Sequence, residues 1–190
     1  MLDRDALIKR IDAGWSPGFL LFWGHGSTPD APIGKSCLSQ WFPASFAAGG
    51  TTYATAEHYM MAEKALLFRD DEAAHRIVST RHPADAKALG RSVRGFDDAT
   101  WKLHRSRIVA EGSYAKFSQN PKLCDFLLAT GERILVEASP RDAIWGIGLG
   151  EKNPRAREPS QWRGLNLLGF ALMHARARLF EERSKTGSTK

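Results

Sequence analysis

A single, mainly helical α+β domain with a small β-sheet is the fold class this sequence predicts, and three observations lead to it. The chain has 190 residues, 43 % of them hydrophobic and 25 % charged, which suits one domain with a sizeable core. Stretches carrying helix caps and apolar residues at helical spacing clearly outnumber the short strand-like runs. Those runs do not alternate with helices as a parallel sheet requires.

The elements follow in order. Asp3 is placed to cap a short peripheral helix that reaches about Asp12 and stops at Gly14, before a turn at 15–18. Residues 19–23 read as a buried strand and 24–35, rich in Gly, Pro, Ser and Asp, as a loop. Pro43 argues against a central strand over 38–46, where Trp41 and Phe42 are core residues by default. Gly49 and Gly50 make a turn into a strand at 51–53. Thr55 then caps a helix of about four turns, since neither Gly nor Pro interrupts the chain before Arg69.

Asp70 or Asp71 caps the next helix, to about Ser79, and Pro83 begins another that ends near Gly90 or Gly95. Both look structural. Asp97 and Asp98 open a long helix to about Gln119, on which Trp101, Arg105, Ile108 and Gly112 share a face. Asn120 and Pro121 start a helix that Gly131 ends, delivering the chain to a strand at 134–137. Along it Ile134 and Val136 point one way, Leu135 and Glu137 the other. Pro140 and the glycines at 146, 148 and 150 make the following segment a loop, and the charged, Pro-containing residues 151–161 should stay irregular. Asn166 caps a last helix with Leu168, Leu172, Ala175 and Leu179 as its core stripe. Residues 1–18 thus form a peripheral helix and turn, 19–180 the domain, and 181–190 a disordered basic tail.

Composition removes several classes of function. Cys37 and Cys124 stand in no metal-ligand spacing, so neither a disulfide scaffold nor a zinc site is expected, and reduced thiols in the cytoplasm are the default. The apolar run 20–23 is far too short to span a bilayer, and the N-terminus has no apolar signal region, so no membrane partner is expected. Nothing in the sequence sets an oligomeric state. The formal charge is +6, of which residues 141–190 hold +5, ten Lys and Arg against five Asp and Glu. A surplus there suits either a phosphorylated ligand, for which Arg155, Arg157 and Arg163 are the candidates, or a solvated helix end and tail.

Two stretches carry polar residues where packing alone does not ask for them. On the helix after Thr55, Glu57, Met61, Lys64 and Phe68 form a stripe beside the apolar one of Ala56, Met60 and Leu67. A carboxylate and an ammonium therefore stand two turns apart, roughly 10 Å along the axis. The plain alternative is a first-turn acid at the positive end of the helix dipole and a solvated lysine. The second stretch is the strand and loop carrying Glu137, Arg141, Asp142 and Trp145, where acids beside an aromatic and flexible glycines suit a ligand wall better than a core. Its glycines are not a dinucleotide fingerprint, which needs GxGxxG between strand and helix. His25 has no second ligand at a helpful spacing, and His58, about 100° round the helix from Glu57, is read as a buried or supporting histidine.

The segments FWGH (22–25), KSCLSQWFPASF (35–46), YATAEHYMMAEKALLF (53–68), KALGRSVRGFDDATW (87–101), 111–150 and WRGLNLLGFALMHARARL (162–179) together resemble the NADAR family (NAD- and ADP-ribose-associated), the YbiA-like N-glycosidases. The resemblance runs in family order over roughly residues 19–180. One departure is that many members carry Tyr or Phe and then Gln where Met60 and Met61 stand, so pocket shape does not transfer.

What the resemblance implies is hydrolysis of an N-glycosidic bond through a ribosyl cation. Such a reaction needs a carboxylate near the anomeric carbon, a base for water and stabilisation of the leaving nitrogen. The resemblance makes Glu57 and Asp142 the catalytic pair, without deciding which activates water. For that chemistry we assign Trp101 and Trp145 to base or ribose, Lys64 and arginines such as Arg163 to phosphate and Asn166 to a hydroxyl, with Glu137 and Trp41 as further substrate contacts. Phosphoribosylamino-pyrimidine intermediates of riboflavin biosynthesis are the implied substrate, with ribose 5-phosphate as product. The alternatives are removal of ADP-ribose from guanine in nucleic acid and a non-catalytic ADP-ribose or NAD module. Nucleic acid enters only as an ADP-ribosylated substrate, and no cofactor or metal is implied. A general basic nucleic-acid-binding domain would rest on net charge alone.

Overall fold

The computed structural model describes residues 2–26 and 33–187, with side chains to 185. Residues 27–32 of the loop expected at 24–35 lie outside them. The elements are α1 (Arg4–Asp12), β1 (Phe19–Phe22), β2 (Phe46–Ala48), β3 (Thr51–Tyr53), α2 (Ala56–Leu67), α3 (Asp71–Val78), α4 (Pro83–Arg91), α5 (Asp98–Ser118), α6 (Pro121–Ala129), β4 (Ile134–Glu137) and α7 (Leu167–Gly187). Short 3-10 turns occupy Lys35–Leu38, Pro154–Arg157 and Pro159–Gln161. This is a mainly helical α+β domain.

Local capping explains where helices begin. Asp3, Thr55, Asp70 and Asp97 each accept a hydrogen bond from the N–H three residues on, satisfying a donor the helix leaves unpaired. Gly49 and Gly50 both take positive φ, 56° and 79°, as a two-residue hairpin turn demands, and β2 and β3 pair antiparallel across them.

The other sheet corrects an expectation. β1 and β4 pair in parallel, Phe19 opposite Ile134 through Phe22 opposite Glu137, although no strand–helix alternation announces it. A two-stranded parallel ladder needs only one crossover, and here most of the chain supplies it. The ladder divides two cores. Phe22 and Leu135 face the larger, built on α2, α5 and α6, while Leu21, Ile134 and Val136 face a smaller one with Ile147, Trp162 and Phe170. Alternation along β4 therefore puts Glu137 on the α2 side.

Both ends depart from the expected organisation. The N-terminal helix is not merely peripheral, because Leu7 is wholly buried in the smaller core. The tail expected to lose order after 181 continues α7 to Gly187, and residues 188–190 lie outside the described ones. Tyr114 donates to Glu182, and Arg183 pairs with Asp125 at 2.7 Å, so the added helical turn is tied down.

Candidate active site

α2 and α4 form one wall of a cavity of about 280 Å³, and the end of β4 with its following loop forms the other. The 39–41 segment closes one side.

On the helical wall, α2 starts where the Glu57 N–H donates to the Gln40 carbonyl at 3.0 Å, tying the helix to the 39–41 segment. Glu57 is 3 % exposed and its Oε1 is buried without a hydrogen-bond partner among the described residues. Burial pushes its carboxyl up to about 7, against the pull of Lys87 and the Trp41 side chain and with the repulsion of Asp142. His58 turns away, held by Thr55 Oγ1 at 2.8 Å and the Thr80 carbonyl at 3.2 Å. Lys64 is buried rather than solvated. Its Nζ donates to the Gly90 carbonyl at 2.7 Å, where a cation at the C-terminal turn of α4 meets the negative end of that helix. Burial lowers its pKa.

The opposite wall is assembled by long-range backbone contacts. Asn166, expected to cap α7, instead takes φ of 55° and reaches its side chain across to β4. Its Oδ1 accepts from the Glu137 N–H and its Nδ2 donates to the Leu135 carbonyl, both at 2.9 Å. A Cβ at Gly169 would stand 2.0 Å from that same carbonyl, so only glycine lets α7 approach β4 this closely. Asp142 Oδ1 accepts from the N–H groups of Ile144 and Trp145, each at 2.8 Å, which folds the loop and turns Trp145 onto the cavity. Glu137 is half-buried with Oε2 unpartnered; burial first, then Asp142 and Glu57, push its carboxyl up to about 8.

The 39–41 segment hangs on a lysine that sequence reasoning passed over. Lys116, 1 % exposed, donates to the carbonyls of Cys37 and Ser39 at 2.7 and 2.8 Å. Burial pulls its amine down to about 7. Gln40 and Trp41, next along the chain, line the cavity, with the His25 ring 5.3 Å from that of Trp41.

Of the nine residues expected at a site, the structure brings six together: Trp41, Glu57, Lys64, Glu137, Asp142 and Trp145. Three stand elsewhere. Trp101 packs in the larger core beyond Lys64, its ring 5.8 Å from the lysine nitrogen, because the face it shares with Ile108 is the one α5 buries. Arg163 is exposed and does not line the cavity, and Asn166 spends its side chain on backbone. Conversely α4, expected to be only structural, gives Lys87, Gly90 and Arg91 to the wall. The signal was there, since Lys87 and Arg91 are four apart and so on one face of the helix that Pro83 starts. Among the described residues no cluster of His, Cys, Asp and Glu could hold a metal ion, and no helix is long and apolar enough to cross a membrane.

This small α+β domain thus gathers three carboxyl groups and two indoles around one cavity. The NADAR domain model matches residues 21–180, and the chain belongs to that family. It is 43 % identical over 157 residues to N-glycosidase R617 of Acanthamoeba polyphaga mimivirus, covering 80 % of this chain and 92 % of that one. It is 31 % identical over 144 residues to a riboflavin biosynthesis protein of Vibrio vulnificus, covering 76 % of this chain but 35 % of that longer protein. The NMR structure of the Escherichia coli protein YbiA superposes with a TM-score of 0.69 at 28 % identity, covering 93 % of each chain. An N-glycosidase is a hydrolase acting on N-glycosyl bonds.

Proposed function

We propose that this protein is an N-glycosidase that hydrolyses phosphoribosylamino-pyrimidine intermediates of riboflavin biosynthesis and releases ribose 5-phosphate. The observation that carries the reading is the buried, unpartnered Glu57 oxygen facing a cavity that also holds Asp142 and two tryptophans. Breaking a ribosyl C–N bond develops positive charge at the anomeric carbon, and carboxylates in a water-poor site stabilise it strongly. In this reading Asp142, held by two N–H groups, stabilises that cation, and Glu57 takes the proton of the attacking water. Trp41 and Trp145 offer rings to the base, a role moved from the core residue Trp101. Lys87 and Arg91 replace Arg163 as the phosphate contacts, since they line the cavity and Lys64 is already committed to Gly90.

Size favours a mononucleotide-like substrate. A cavity of about 280 Å³ stands at the small end of ligand sites and suits one phosphoribosyl unit with its base better than the two nucleotides' worth of ADP-ribose. The name of the Vibrio vulnificus relative points the same way. The test is to follow ribose 5-phosphate by chromatography from the phosphoribosylamino-pyrimidine, beside an oligonucleotide carrying ADP-ribosylated guanine. Turnover of the first supports the proposal; turnover of the oligonucleotide alone, or of neither, overturns it.

A further inference from the structure

We propose that Glu137 is a catalytic acid of this site, carrying the proton that the departing nitrogen takes up as the glycosidic bond breaks. This rests on the hydrolytic reading above and adds a third role to its two carboxylates.

Position comes first. The Glu137 N–H is taken by Asn166 Oδ1, and its carbonyl accepts from Ser139 at 2.9 Å and Ile147 at 3.0 Å. With its backbone held on both sides, the side chain stands on the α2 side of β4 and lines the cavity. Its Oε2 is buried without a partner, as is Glu57 Oε1 across from it, whereas Asp142 Oδ1 already accepts two N–H groups. Glu137 is thus the carboxyl with unspent hydrogen-bonding capacity that the mechanism has not used. Asn166 is its positioning residue.

Charge decides where the proton sits. Burial and Asp142 oppose ionisation of Glu57, but Lys87, the Trp41 side chain and Arg91 all favour it. Glu137 faces two carboxylates, Asp142 and Glu57, with Lys87 alone offsetting them. Like charges sharing a poorly solvated cavity do not all ionise, so one proton stays, and it stays on Glu137. A neutral carboxyl beside an ionised one is an acid–base pair.

The step balances. As the C1′–N bond breaks its electron pair goes to nitrogen, which takes the Glu137 proton. The water oxygen bonds to C1′ and loses its proton to the Glu57 carboxylate. Glu57 ends with the proton Glu137 lost, and exchange with solvent restores both.

The test compares wild type, Glu137→Gln and Glu137→Asp on two ribosyl 5-phosphates, the amino-pyrimidine and a nitrophenyl riboside, whose leaving anion needs no proton. Glu137→Gln should lower kcat/KM on the first by about 10²–10⁴-fold and on the second by less than about tenfold, and should remove the alkaline limb of the pH profile. Glu137→Asp should recover part of the loss. Unchanged turnover of the amino-pyrimidine, or equal losses on both substrates with the alkaline limb intact, overturns the proposal in favour of a structural role. If wild type leaves the nitrophenyl compound uncleaved, the alkaline limb alone decides. Wild type inactive on both substrates sinks the hydrolytic reading itself, and the proposal falls with it.

Discussion

The two walls of the cavity are built by opposite means. On α2 the cap at Thr55, the acid two residues later and the lysine two turns on are all consequences of one continuous segment. The Glu137–Asp142 wall owes its shape to residues far away in the chain: β1 beside β4, Asn166 stapled to Leu135 and Glu137, and Gly169 close against a strand carbonyl. One wall is set by propensity, the other by topology. It follows that the shape of the helical wall should survive substitution of its polar residues, whereas the shape of the other depends on contacts made far along the chain.

The largest expected effect is on the helical wall. Glu57→Gln should reduce turnover by about 10³-fold or more while leaving the fold intact. At pH 8 it should also raise the melting temperature, because it removes a buried carboxyl whose ionisation burial opposes. Circular dichroism and activity on one preparation check both; lost activity with a lowered Tm would break the contrast.

Next comes the opposite wall. Gly169→Ala should cost about 3 kcal/mol or more, since the new methyl meets the Leu135 carbonyl and the Asn166 amide and neither can withdraw without breaking the staple. Denaturant titration measures it, and a cost under about 0.5 kcal/mol would show the threading to be slack.

That contrast also explains what was legible in the sequence. Helix starts at Asp3, Thr55, Asp70 and Asp97 were readable because a cap is a local event, and Glu57 stood out as a polar residue on such a helix. Trp101 was placed at the site although the face of α5 that carries it is buried in the larger core, because residue type does not say which helix face a neighbour covers. The parallel ladder and the Asn166 staple join residues 29 to 115 apart in sequence, beyond any local pattern. Lys87 and Arg91 share a helix face that periodicity shows, but which wall it meets is set by how Gly90 packs on Met61.

Lys87→Met sharpens the comparison in a smaller way. Losing a charge-assisted contact should raise KM for a phosphorylated substrate by about tenfold. Since Lys87 opposes the upward push on Glu57 and Glu137, the pH profile should also move to higher pH. An unchanged KM would remove α4 from the phosphate site.

The smallest effects are in stability against pH, and their signs differ. Glu57 and Glu137 hold protons more tightly folded than unfolded, having moved from 4.5 to about 7 and about 8. Their contribution is most favourable below about pH 4.5 and falls as pH rises from there to the folded-state values, by on the order of 3 kcal/mol for Glu57. Lys116 holds its proton less tightly folded, its amine lowered from 10.5 to about 7, so its contribution improves with pH between those values. Denaturation midpoints across pH 5–10 should show the Glu57→Gln variant flattened on the acid side and Lys116→Met on the alkaline side. Slopes unchanged by either substitution would mean that these groups sit in water rather than in the walls.

Release of ribose 5-phosphate from the phosphoribosylamino-pyrimidine by wild type and Glu57→Gln, with both shown folded at the assay pH, tests the central claim most directly. The proposed mechanism predicts turnover by wild type and its loss by about 10³-fold in the variant. Equal turnover by the two proteins would place the chemistry outside this cavity and contradict the account.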